Sequence, residues 1–486
     1  MKKLLAFGVF GCMLMCFVFI NTNCSIVNDS DSDISGTSID RMVVDHYVDI
    51  PFENAEVLKS FADDSQIINY NTARKLALIE FLAAGYDNDM DWVGYKFNPL
   101  PVVIYGFDNK PKFYDFIVLD AEEQPVGTIT VHARRASTTS IRSISSGVKD
   151  YREALSKAGF QASFYEDWRG NSYLGLRGKS GDTPDAVINI TTGENAVGIT
   201  ELEGTDIISA LLQDNFYMQI VSENNGSSFG SETDIEMALQ NVFAKQAQNV
   251  EEFWSIINEL LPEIESIGDE DEIIDSSGKF IVAFITRILY SVVSSILGVD
   301  TNRYFIEDYT SYTTNYNPVS GAWCGPWAVA YLQWINSGRT SNTYNKALDY
   351  TSWLLGKIFG GEPMTPSDFN RALQHVSNNT MYITTNKDVF DQISVYSRIK
   401  NDRKPVAVVS EPPIGKKVLE VGVHWYIAVG ARAVNNWSFH FLLQENHNNG
   451  DNRINTRASL INNNRRDDNT SYRELPIWSI WYNVNN

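Results

Sequence analysis

The sequence predicts an α+β protein, and three observations carry that reading. A mostly apolar stretch at 324–335 has its bulky residues at 327, 331, 334 and 335, which is helical spacing. The chain beyond Lys404 changes period: residues 405–409, 418–429, 437–444 and 478–484 are β-branched and aromatic runs of strand length. Helices first and strands second is an α+β order, a helix packed on an antiparallel sheet. Upstream, residues 112–119 and 126–131 are strand-length runs on either side of a polar turn at 120–125, which reads as a β-hairpin of a second α+β block.

Taken in order, the chain begins as a targeting segment. Lys2 and Lys3 precede an apolar run over residues 4–20, and a polar stretch with Cys24 follows. Residues 25–45 are a Ser- and Asp-rich linker. Structure begins near Val48. Residues 69–84 read as a helix, with Asn71 or Thr72 as cap and Leu76, Ile79, Leu82 and Ala83 as its stripe. After the hairpin come a helix at 151–157 and strands near 173–176 and 186–190. This α+β block spans 46–228. A helical segment, 229–300, follows: a long helix from Ser231 to Leu261, an acidic loop at 268–272, and an apolar run at 280–297. That run is about one membrane thickness long. Arg287 in its middle and Lys279 at its start favour a buried helix or a cover over the last domain. The last domain spans 301–486 and holds the 324–335 helix, helices at 346–359 and 366–376 (the latter capped by Thr365), and then the strands.

Charge and cysteines bound the function. The chain has 39 basic and 60 acidic residues, a net charge of −21. Phosphate binding needs positive charge, so a nucleic-acid partner is excluded from the expectation. The four cysteines are Cys12, Cys16, Cys24 and Cys324. The first two leave with a cleaved signal, and Cys324 is then the one thiol deep in an exported chain. An isolated cysteine among aromatics is more often a small buried hydrophobe than a nucleophile. Here it opens a helix, with Pro326 suited to the first turn, and a helix N-terminus favours the thiolate. A thiol nucleophile also needs a base with an orienting group. Of six histidines, His424 is the best placed: it starts an apolar strand, between Gly422 and Gly430, where a polar ring needs a partner. His440 alternates with Phe439 and Phe441 and is expected to face solvent. Glu445 and Asn446, at the end of the neighbouring strand, are both able to orient His424. No Cys/His cluster has metal-ligand spacing, so neither metal nor cofactor is expected.

Two resemblances follow from these residues. The N-terminus resembles a bacterial lipoprotein signal, residues 1–24, which implies acylation of Cys24, export, and a membrane partner through the lipid. The run Trp323-Cys324-Gly325-Pro326, with Lys404-Pro405-Val406, Val423-His424-Trp425 and Ala428-Val429-Gly430, resembles papain-like cysteine peptidases of the double-glycine and streptopain types. That resemblance implies Cys324 as nucleophile, His424 as general base, Glu445 or Asn446 as orienting residue, and a protein or peptide substrate. The clan places a Gln donor six residues before the cysteine; Pro318 stands there, and Asn317 is the neighbouring side chain able to donate. The 46–228 block resembles the propeptide of streptopain-type enzymes, which implies a zymogen. Cell-wall amidases of the same clan favour a Glu with a nearby Asn, so peptidoglycan is an alternative substrate. A catalytically dead, surface-binding lipoprotein is the non-enzymatic alternative.

Overall fold

The β-branched and aromatic runs of the sequence pair into one antiparallel-rich sheet. The computed structural model describes residues 52–62, 64–86, 96–98, 100–145, 162–170, 172–176, 187–189, 195–196, 199–223, 231–265, 303–306, 324–336, 364–385, 392–410, 424–434, 438–444, 471–473, 475 and 478–485. The upstream elements are α1 (Ala55–Lys59), α2 (Tyr70–Tyr86), β1 (Lys96–Phe97), β2 (Val102–Tyr105), β3 (Pro111–Leu119), β4 (Pro125–His132), β5 (Ile141–Ser145), β6 (Ala162–Glu166), β7 (Ser172–Leu176), β8 (Val187–Asn189), β9 (Asn195–Ala196), α3 (Thr205–Gln213), α4 (Asn215–Glu223) and α5 (Glu232–Glu265). The C-terminal elements are β10 (Arg303–Phe305), α6 (Cys324–Asn336), α7 (Pro366–Val376), β11 (Tyr382–Thr385), α8 (Gln392–Ser397), β12 (Val406–Ser410), β13 (His424–Ala433), β14 (Phe439–Gln444), β15 (Ser471–Arg473) and β16 (Ile480–Asn485). A π-helical turn, Arg398–Asp402, continues α8. The fold class is α+β, as the sequence predicts. The expected signal and linker, the helices at 151–157 and 346–359 and the apolar run at 280–297 lie outside the described residues.

Local chemistry explains the elements that position the rest. Asn69 Oδ1 accepts the Asn71 N–H at 2.9 Å, so α2 is capped from Asn69 rather than from Asn71 or Thr72. The β3–β4 turn is closed by Asp120, whose Oδ1 accepts the Gln124 N–H at 2.7 Å. Thr365 caps α7 by accepting the Asp368 N–H at 3.2 Å, and Pro366 takes the first helical position.

The strand order is β11-β16-β12-β13-β14-β15-β5-β4-β3-β2-β6-β7-β8-β9, with β1 against β3 and β10 against β13. β2 and β6 run parallel; every other pairing among the described strands is antiparallel. The step from β15 to β5 joins the two blocks read from the sequence. Ser471, Tyr472 and Arg473 pair with Ser145, Ile144 and Ser143.

The C-terminal strands are covered on both sides. Trp425, Ile427 and Val429 of β13 belong to the main core with the buried residues of α6 and α7. Tyr426 and Ala428 belong to a second core with Val395, Tyr396 and Ile399. This overturns the expectation for His440. The alternation with Phe439 and Phe441 is real, yet His440 is 0 % exposed. Its Nδ1 accepts from Arg432 Nη2 at 3.1 Å, so Nε2 carries the proton and donates to the Ile141 carbonyl at 2.8 Å. Alternation separates two faces of a strand; it does not say that one of them is wet.

Candidate functional site

Cys324 is the first residue of α6. The helix is buried around most of its circumference: Ala328, Val329, Ala330, Tyr331 and Leu332 are fully buried and Trp334 nearly so. A helix apolar on every side belongs in a core, and this one lies between β13 and α7. Its first turn contains no acidic side chain, so its N-terminal dipole is not offset there. Cys324 itself is half-buried and forms no disulfide. At the head of the helix it stands at the boundary between core and surface.

His424 is the first residue of β13, in register with Ser410 at the end of β12. Ser410 Oγ and Ser479 Oγ are 2.8 Å apart and both residues are buried. This hydroxyl pair, which sequence reasoning missed, closes that end of the ladder. The next residue, Trp425, packs in the core shared with α6. Its ring stacks on Phe369 with centroids 4.2 Å apart and planes 17° apart. Its indole N–H donates to the Met364 carbonyl at 3.0 Å.

Met364 connects the two candidate residues through their neighbours. Besides holding Trp425, beside His424, it lies against Gly325, beside Cys324. A Cβ on Gly325 would stand 2.7 Å from Met364 Sδ and 2.9 Å from its Cβ. The glycine after Cys324 is therefore a matter of space: the helix start approaches Met364 too closely for a side chain. Met364 also went unread in the sequence. It sits just before the Thr365 cap, and Phe369 is the fourth helical residue, the two positions of a hydrophobic staple. That pattern was the available signal.

Gly325→Ala is expected to overpack this contact and cost about 1–3 kcal/mol. Met364→Ala removes two of the three colliding atoms, Sδ and Cγ, so it is expected to cost less stability in the Gly325→Ala chain than in the wild type. Thermal melts of the two single variants and the pair check this; strictly additive losses would show that the contact is not the reason for the glycine.

Glu445, Asn446, Asn317 and Cys24 lie outside the described residues. β14 ends at Gln444, whose register partner on β13 is Ile427, three residues beyond His424. Among the described residues, no group of three or more His, Cys, Asp or Glu side chains stands close enough to hold a metal ion. No helix there is long and apolar enough to cross a membrane. No family model matches the chain, and no curated protein matches it.

Proposed function

We propose that the protein is an exported, lipid-anchored cysteine peptidase with a papain-like catalytic part. The observation that supports this most is the placement of Cys324: a half-buried thiol at the head of a core helix, with no carboxylate in its first turn. The same helix packs on the strand that His424 opens. A helix N-terminus stabilises a thiolate, and a thiolate is the species that attacks.

In this reading Cys324 Sγ attacks the peptide carbonyl carbon. The oxyanion that forms is held by the Cys324 backbone N–H together with Asn317. The C–N bond breaks as the His424 imidazolium protonates the leaving amine. His424 then takes a proton from water, whose oxygen attacks the thioester; the carboxylate leaves and the thiol is restored. Glu445 or Asn446 orients the imidazole. Digestion of casein, blocked by a thiol-directed inhibitor such as E-64, tests the proposal; a protein inert to peptides and to the inhibitor would contradict it.

Peptidoglycan is the second substrate to try. Glu445 directly follows the last residue of β14, the strand beside β13. The cell-wall amidases of the clan use such a Glu. Release of peptides from cell walls without casein digestion would favour that reading.

A further inference from the structure

The upstream block reads in the sequence as a piece to be cut away. Its contacts with the C-terminal block are of another kind. β5 and β15 pair by backbone over three residues, inside the sheet rather than over its face. Around this pairing the polar contacts are buried. His440 Nε2 donates to the Ile141 carbonyl at 2.8 Å. Arg432 Nη1 stands 2.5 Å from Glu80 Oε1, an ion pair whose N–H is not aligned on the oxygen. The Thr138 and Ser438 hydroxyls are hydrogen-bonded to one another.

A second patch of contact lies at Trp478. Its carbonyl accepts from the Tyr217 hydroxyl at 3.2 Å. Burial, with the Asp214 carboxylate adding to it, pushes the Tyr217 phenol up, so the donor keeps its proton. The Trp478 ring stacks on Phe243 of α5, with planes 6° apart, and meets Trp168 at 5.8 Å.

We infer that the upstream block is a permanent partner of the C-terminal block: a chain cut between them remains one two-part molecule. The physical reason is what separation would expose. Both β5 and β15 would lose a strand neighbour and present open edges. Arg432 would lose its ion pair with Glu80, and the buried His440 would lose the Ile141 carbonyl as acceptor. A propeptide that lies over a cleft is shed without such losses. The inference does not depend on the peptidase reading, because it concerns association and not catalysis.

The test is a recognition sequence for a specific protease, inserted between residues 266 and 302 of the full mature chain. After complete cleavage the two pieces are expected to co-elute on gel filtration at the position of the uncut protein, at micromolar concentration and neutral pH. They are also expected to melt in one transition. Two separate peaks would overturn the inference. A second arm uses Glu80→Lys, which places a like charge against Arg432. In the cut protein this variant is expected to weaken association at least tenfold, read from the concentration at which the pieces separate. Association unchanged by the reversal would show that the buried pair does not hold the blocks together.

Discussion

Cys324→Ala is expected to abolish casein digestion, lowering kcat/KM on the order of 10^4-fold or more. The size follows from the role. In covalent catalysis the nucleophile is the group whose removal leaves only binding and oxyanion contacts, and the next two residues of the helix, Gly325 and Pro326, carry no nucleophilic group. The same change is expected to leave the fold intact. Cys324 lies at the rim of the core rather than inside it, and alanine fits the helix at least as well. Stability and activity therefore separate: a melting point within a degree or two of wild type alongside lost activity. A variant that keeps its activity would remove Cys324 from the chemistry.

The largest expected effect on stability lies elsewhere, at Glu80→Leu. Glu80 comes from α2 in the upstream block and Arg432 from β13 in the C-terminal block. Both are largely buried, at 8 % and 5 % exposure. Removing one member of a buried ion pair strands the other, which costs about 3–5 kcal/mol. Arg432 also donates to His440 Nδ1, so a shifted guanidinium disturbs the histidine that bonds Ile141. Glu80→Leu combined with Arg432→Met is expected to recover more than half of the loss, because no buried charge is then left alone. Denaturant unfolding of the two single variants and the pair measures this. Additive losses would mean that the two charges do not act as a pair.

Much of the local structure was legible in the sequence because its causes are local. The helix at Cys324 follows from apolar spacing and Pro326, and it forms over Cys324–Asn336. The Thr365 cap and Pro366 mark α7, and the cap bond is there. The β3–β4 hairpin shows itself by two strand-length runs of aromatic and β-branched residues around a turn rich in Asp and Glu. What was not legible depends on distant partners. β15 has three described residues and finds β5 more than three hundred positions earlier. No short window contains that pairing, so the sequence did not show that strands of both blocks join one sheet. His440 failed for a related reason. Its neighbours Phe439 and Phe441 define one face, but the other face is covered by α2 and β5, which supply Glu80 for Arg432 and the Ile141 carbonyl for His440. Of the candidate site, the sequence located the thiol and the strand that begins with His424. It did not reveal Met364 or the Ser410–Ser479 pair, whose importance comes from the elements that meet there.

The central claim is that Cys324 works as a thiolate with His424 as its base. It is tested most directly by the rate of iodoacetamide alkylation at Cys324 as a function of pH, in the wild type and in His424→Ala. An ordinary thiol titrates near about pH 8.5. The account predicts that wild-type Cys324 reacts rapidly at pH 6 to 7, well below that range, and that His424→Ala moves the profile up toward the ordinary thiol. A wild-type profile of an ordinary thiol, unchanged when His424 is replaced, would contradict it.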